Sequence, residues 1–387
     1  MLLPRLFVSC ATAILLCAAA LALIYRHAPA LGLLDRPNER KKHLGNIPLI
    51  GGIAVFIGLL CGACVAGRGD TFTCSILGTA AVLTLTGALD DRFDLSVRLR
   101  LVVQSAAILV MMGFTGVYIR TLGNLFGVEL ELGVLGIPLT LIAVIGLLNA
   151  FNMMDGLDGL AGMLALVSVG AIASFQGFSQ WTNFGLLLLL SAALLPYLAA
   201  NLGLVGRKVF LGDAGSVVLG YLLAWTLVRL SQQPAAHLTT VDVLWCVALP
   251  VLDTLAVMIR RMRERRSPFK PDRGHIHHLL LDAGMGPRAA LVTLVALAIL
   301  LVLIGTQTRR LAPGSNLLAF GALAVIYITA HSRVRQRQHA RVLGGQAPHA
   351  VLALGATSIA RPRLRHERTQ ARGATAARST RPPAALP

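Results

Sequence analysis

Only seventeen Asp and Glu residues occur in 387 positions, and those with suitable neighbours fall in a few short segments. Asp90, Asp91 and Asp94 stand in LDDRFDLSVRLR. Asn149, Asn152, Asp155 and Asp158 stand in LLNAFNMMDGLDGLAG, and Asp213 in VFLGDAGS. His275, His277 and His278 stand in PDRGHIHH, preceded by Arg260, Arg261, Arg263, Arg265, Arg266, Lys270 and Arg273. Carboxylate and amide oxygens are the hard donors that Mg²⁺ or Mn²⁺ takes, and guanidinium groups match phosphate oxygens. Together they point to metal-assisted chemistry on a pyrophosphate.

Each segment has a plainer reading beside that one. Asp90 and Asp91 could be a solvated helix end, yet two adjacent carboxylates at a helix C-terminus repel each other and oppose its dipole, so a cation is expected beside them. Asp155 and Asp158 share a face if their stretch is helical. Asp158 would also serve as an N-cap for the helix that follows, as would Asp213. The Gly-Asp-Ala-Gly-Ser setting equally suits phosphate or metal at a helix N-terminus. HxHH resembles zinc spacing, but no further His or Cys set completes a zinc site. Cys61 and Cys64 form a CxxC inside an apolar run, which reads as packing.

The elements that must position these groups are membrane helices. Apolar residues make up 56% of the chain and charged residues 13%, against roughly 25% charged in a soluble domain. Mean hydropathy is +0.72. A soluble enzyme, a disordered chain and a disulfide-built secreted domain are excluded. The expected fold is an all-α polytopic integral membrane protein of about eleven transmembrane helices, with the active site in cytoplasmic loops. The apolar runs lie near 5–25, 47–66, 72–89, 101–118, 134–149, 159–175, 184–201, 214–230, 241–259, 289–306 and 315–331. The first lacks a clear cleavage site and reads as a retained helix.

Lys and Arg set the orientation. With the N-terminus outside, 29 of the 35 fall on the cytoplasmic side and six (Arg5, Arg68, Arg120, Arg229, Arg309 and Arg310) outside. The C-terminus is then cytoplasmic, and the acidic and His segments share that face. Asp253 is an acid inside the ninth run, with Arg260 seven residues on and on the same helix face. Residues 1–331 form the expected transmembrane domain. Residues 332–387 hold eleven Arg and a single acid, Glu367, and read as a disordered basic tail near anionic headgroups.

In these segments the chain resembles the polyprenyl-phosphate N-acetylhexosamine-1-phosphate transferases (glycosyltransferase 4). The resemblance is carried by DRPNERKKHLGNIPLIGG, LDDRFD, NAFNMMDGLDGLAG, VFLGDAGS and SPFKPDRGHIHH, in that order. The HIHH form and the helix count are similar to the WecA-type bacterial branch rather than the MraY-type branch of peptidoglycan synthesis. The resemblance implies a UDP-N-acetylhexosamine donor, most often UDP-GlcNAc, and an undecaprenyl phosphate acceptor in the bilayer. The lipid phosphate attacks the sugar-bearing phosphorus, UMP leaves, and a lipid-pyrophosphoryl-sugar remains to start a cell-surface polysaccharide such as O-antigen. It implies Mg²⁺, with Mn²⁺ as an alternative, and a bacterial inner-membrane location. A homo-oligomer is compatible with it, and no nucleic-acid partner is expected.

Carried over by position, Asn152 and Asp213 match metal ligands. Asp90 and Asp91 match the essential acidic pair, with Asp155 and His278 expected beside them at the reacting centre. Asp158 matches a uridine contact and Lys42 a basic residue near the nucleotide. Arg273, His275, His277 and His278 match the donor phosphate and sugar region. Two positions depart from the MraY-type pattern. Asp94 stands where that branch has Lys, and Asn201 lies twelve residues before Asp213, a longer gap. Asp90 matches the position proposed as the base for the lipid phosphate, but a phosphate monoester is largely a dianion at neutral pH, so the acidic pair could instead hold metal or position a cationic side chain. Direct attack is expected, with a double displacement through an aspartyl intermediate as the alternative.

Two other classes compete. A transporter would spread polar groups through the bilayer depth, whereas here they collect at one face. A nucleic-acid-binding scaffold is supported by the tail alone and leaves the four loop segments unexplained.

Overall fold

The computed structural model describes residues 2–35, 45–177, 184–233, 237–267 and 274–356. Each apolar run expected to be a span falls mainly on helix, with 47–50 and 116–118 outside the helices. In chain order the helices are α1 (Leu2–Leu31), α2 (Gly51–Ala66), α3 (Thr71–Phe93), α4 (Val97–Thr115), α5 (Gly136–Met154), α6 (Leu160–Gln176) and α7 (Gly185–Asn201). They continue with α8 (Asp213–Ser231), α9 (Thr240–Cys246), α10 (Ala248–Arg263), α11 (Ile276–Asp282), α12 (Pro287–Thr308) and α13 (Pro313–Ala356).

The eleven runs are not eleven straight crossings. Among the described residues, seven helices are long and apolar enough to cross a bilayer. Helices α2, α6 and α7 are apolar but shorter. The ninth run is broken, with α9 and α10 meeting at 86°. Pro250 gives the cause: it has no N–H to offer the Cys246 carbonyl, so α9 cannot run on through it.

Helix α8 is the hub. Nearly all its residues are buried, although its composition is that of a membrane span. Small residues let its neighbours close in on it. On α3, a Cβ added at Gly87 would collide with the Ala214 backbone, and on α8 one added at Gly220 would collide with the backbone of Leu147 and Leu148 of α5. These two contacts bring the C-terminal ends of α3 and α5 beside the N-terminal end of α8.

The turns around this point follow local chemistry. Asp70 caps α3 by accepting the Thr73 N–H at 3.1 Å, and Ser96 caps α4 by accepting that of Leu99 at 3.3 Å. Asp94 terminates α3 in the left-handed region (φ 51°), its N–H returning to the Asp90 carbonyl at 2.9 Å. The departure from Lys at this position thus has a backbone role, since Asp tolerates that conformation better than most residues.

Two small antiparallel pairings add to the helices. β1 (Leu34–Asp35) pairs with β2 (Ile47–Pro48), and Leu49 bridges to Phe210. Phe210 donates its N–H to the Pro48 carbonyl at 2.8 Å and accepts that of Gly51 at 2.9 Å. The HLGNIPLIGG end is thereby laced to the strand of chain leading into Asp213. On the opposite end, β3 (Thr121–Leu125) and β4 (Val128–Glu131) form a hairpin turned at Phe126 and Gly127, both with positive φ.

Residues up to Gln338 form one compact unit and the residues from His339 a second. The first unit thus ends seven residues beyond the expected boundary at 331. Helix α13 runs to Ala356, and the remainder of the expected tail lies outside the described residues.

Candidate active site

The centre is built where α3 ends, α5 ends and α8 begins. Asp90 and Asp91, adjacent in sequence, do different things. Asp91 faces the first turn of α8, accepting the Asp213 N–H at 3.0 Å and that of Ala214 at 3.4 Å. A carboxylate there satisfies free amide donors and complements the helix dipole. It also fills the terminus that a phosphate would otherwise occupy in the Gly-Asp-Ala-Gly-Ser turn.

Asp90 is buried and accepts the Leu95 N–H at 2.7 Å. Its other oxygen lies 2.7 Å from Arg100 Nη1, and the same guanidinium nitrogen lies 3.3 Å from Asp213 Oδ2. The opposite oxygen of Asp213 accepts from Asn152 Nδ2 at 2.8 Å, and that amide also reaches Ser216 Oγ at 3.1 Å. Arg100 is therefore the cation beside Asp90, whereas Asp91 is met by the amides of α8. The sequence counts it only among the positive residues of the cytoplasmic side. Its link to Asp213 spans 113 residues, and no local pattern reports such a link.

Neither expected N-cap is one. The N-cap of α8 is Gly212, with Asp213 as its first helical residue, and the N-cap of α6 is Gly159. Asp158 instead pairs with Lys208 Nζ at 2.6 Å. Asn201 finds its role behind this loop, accepting the Gly159 N–H at 2.5 Å and donating to the Val209 carbonyl at 2.8 Å. It thereby ties the Asp155–Gly159 turn to the segment leading into Asp213. Asp155 follows the last turn of α5. Burial, reinforced by the charges of Asp213, Asp91 and Asp158, pushes its carboxyl well above the ordinary carboxylate range.

The HIHH segment reaches the same centre from the other side, through His277. Its ring is buried against Gly156, where a Cβ would strike it, and stands 4.1 Å from the His278 ring. Both His277 nitrogens are buried and without a hydrogen-bond partner among the described residues. Burial, with His278 and His275 nearby, lowers its pKa to about 3, so the ring is neutral. His275 points away, its Nδ1 at 2.7 Å from Asp253 Oδ2. The three imidazoles do not converge as metal ligands. Lys42 and Arg273 lie outside the described residues.

A cleft opens onto Arg100. Its floor is polar, with Asp90, Arg100, Gln104, Asn149, Asn152 and Asp213, and its walls are Leu83, Thr86, Gly87 and Val217. Among the described residues no three His, Cys, Asp or Glu side chains gather as a closed metal cage. The donors that do face one another are two carboxylates and an amide, with a guanidinium standing between the carboxylates. A hard cation would find oxygen ligands in this set once the Asn152 amide, whose nitrogen now faces Asp213, presents its oxygen.

The model of glycosyl transferase family 4 matches residues 73–231. A protein of Yersinia pestis named undecaprenyl-phosphate alpha-N-acetylglucosaminyl 1-phosphate transferase is 42% identical over 285 residues, covering 73% of this chain and 78% of its own. Proteins of the same name from Escherichia coli K12 and Salmonella typhi are 42% and 44% identical, each match covering 72% of this chain and 77% of theirs.

Proposed function

The chain belongs to glycosyl transferase family 4, and from that premise we propose that it transfers GlcNAc 1-phosphate from UDP-GlcNAc to undecaprenyl phosphate. The observation that carries the reading is the Asp90–Arg100–Asp213 bridge on the polar floor of a cleft with apolar walls. A phosphate on a long apolar chain needs both features at once.

An oxygen of the lipid phosphate attacks the phosphorus that bears the sugar. The new P–O bond forms as the bond to the uridine-bearing phosphate breaks, and UMP takes the electron pair. No proton need be removed from a dianionic phosphate. Asp90 then acts by holding Arg100, and the guanidinium offsets charge on the equatorial oxygens. Asp91 fixes the first turn of α8 and with it the direction of Asp213.

Mg²⁺, or Mn²⁺ in its place, would be held by Asp213 and the Asn152 carbonyl oxygen. When bound it would neutralise pyrophosphate charge as a Lewis acid. For Asn152 this requires the amide to turn, because its nitrogen now faces Asp213. His278 and the neutral His277 border the donor side, and Asp158 with Lys208 supplies a polar edge for the uridine. The site faces the cytoplasm of the inner membrane, with the N-terminus outside, and the product starts a cell-surface polysaccharide such as O-antigen.

Purified chain in detergent with UDP-GlcNAc and undecaprenyl phosphate should release UMP only when both are present. UMP release without lipid, or none at all, overturns the proposal. Competition by UDP-GalNAc at equal concentration reads the sugar preference. A reporter after residue 387 should read cytoplasmic and one between Gly67 and Cys74 external. The reverse would part the site from nucleotide sugars.

A further inference from the structure

Asp253 is fully buried at the start of α10, just past the 86° break, and every oxygen of its carboxylate is used. Oδ2 accepts from His275 Nδ1 at 2.7 Å. Oδ1 accepts the Ile276 N–H at 2.9 Å and the Tyr327 hydroxyl at 3.1 Å. Tyr327 belongs to α13, and one turn further along the same helix His331 is buried as well. Its Nε2 lies 2.8 Å from the Gly274 carbonyl, and because a carbonyl only accepts, Nε2 carries the proton. Two turns beyond, Gln338 Nε2 donates to the Leu279 carbonyl at 2.8 Å.

Three residues of one helix face, at 327, 331 and 338, thus hold the beginning, the anchor and the end of the first turn of α11, the helix that HIHH opens. A seven-residue helix is too short to hold its own position. Its own residue His277 faces the Asp155–Gly159 turn across Gly156, with the His278 ring 4.1 Å from it. Burying an acid and two imidazoles together, beside a half-buried phenol, is costly unless each is matched, so a simple anchor would more cheaply be apolar. The polar form fixes direction, as supporting hydrogen bonds do around catalytic groups.

We propose that α13 is a brace for the active site: Asp253, Tyr327 and His331 are positioning residues that set His277 against the Asp155–Gly159 turn, and His275 serves that brace instead of binding the donor. Its role presupposes the transferase activity, and it places a requirement on residues 327–338, which stand past the HIHH segment.

His331→Ala removes the bond to Gly274 and His331→Gln restores a donor near the Nε2 position. Both are purified beside the unaltered chain, Tyr327→Phe and the control Thr329→Ala, whose hydroxyl bonds to the Val325 and Ile326 carbonyls of its own helix. His331→Ala and Tyr327→Phe should each raise the donor KM or cut kcat by about tenfold while the KM for undecaprenyl phosphate stays within about twofold. His331→Gln should recover most of the loss. Hydrogen exchange at the Ile276 amide should quicken in His331→Ala and Tyr327→Phe and not in Thr329→Ala. Unchanged donor kinetics in His331→Ala, equal loss toward both substrates, or a Gln variant no better than Ala would each overturn the brace. If the unaltered chain released no UMP, the transferase reading would fail, and exchange at Ile276 would still decide whether α13 holds this loop.

Discussion

His277 lies directly against Gly156, and the fit leaves no space for a Cβ on the glycine. Two segments 121 residues apart in sequence therefore touch at a point where one extra carbon must displace an imidazole. Gly156→Ala is expected to cut kcat by at least about tenfold while membrane insertion and melting temperature stay close to those of the parent. Gly170→Ala, on an open face of α6, should have no effect. Steady-state kinetics on both variants check this, and a fully active Gly156→Ala would mean the contact is incidental.

Arg100 holds Asp90 and Asp213 together, so its removal leaves a buried carboxylate uncompensated. Arg100→Gln should lower kcat/KM for undecaprenyl phosphate by at least about a hundredfold, on the scale of a lost charge-assisted contact in an oxyanion-type site. Arg100→Lys should recover part of it, since a point charge can reach one carboxylate but lacks the planar fork. Arg98→Gln, two residues away, serves as the reference for general loss of positive charge. Equal effects at 98 and 100 would remove Arg100 from the site.

Much of this was legible in the sequence. The apolar runs fixed the all-α membrane fold, and the acidic and His segments do meet. Individual roles were less legible. Asp90 and Asp91 look alike in LDDRFD, but one helical step of about 100° turns one toward Arg100 and the other toward the α8 amides. The break at Val247 hides inside a continuous apolar run, because hydropathy does not register the N–H that Pro250 lacks. The β3–β4 hairpin gives little signal, since Phe126 is an unusual residue for a positive-φ turn position. Arg260, paired by helical spacing with Asp253, lies 3.8 Å from Glu264, while the carboxylate turns to His275 and Tyr327.

The metal reading is checked by binding as well as by rate. Chelation should stop UMP release and Mg²⁺ or Mn²⁺ should restore it. Asp213→Ala should abolish turnover and also lose the bound-Mn²⁺ signal in paramagnetic resonance. Asn152→Ala should weaken both less, since a neutral amide is the poorer ligand. Mn²⁺ bound equally well by Asp213→Ala would place the cation elsewhere.

Among the described side chains, those of α13 that bond to the HIHH helix end at Gln338, and every sequence motif lies before Met285. Deleting residues 340–387 should therefore leave kcat per folded molecule within about twofold of the parent, a change below 0.5 kcal/mol by the usual rate arithmetic of about 1.4 kcal/mol per tenfold. Turnover lost in a stably inserted truncation would show that the basic tail touches a substrate.

His277 gives the site a predictable response to acid. In an unfolded chain an imidazole titrates near 6.5, whereas here burial holds it down to about 3. The unfolded state therefore takes up a proton in that interval and the folded state does not, so stability falls as pH drops from about 6.5 toward 3. Between pH 7.5 and 5.0 the loss from this one residue comes to about 2 kcal/mol, at about 1.4 kcal/mol per pH unit below the unfolded value. His277→Gln lacks the titrating group and should lose correspondingly less. Melting temperatures of the two proteins in the same detergent at the two pH values measure the difference. Parallel shifts would mean that His277 is protonated in the folded protein, and that it does not stand neutral against Gly156.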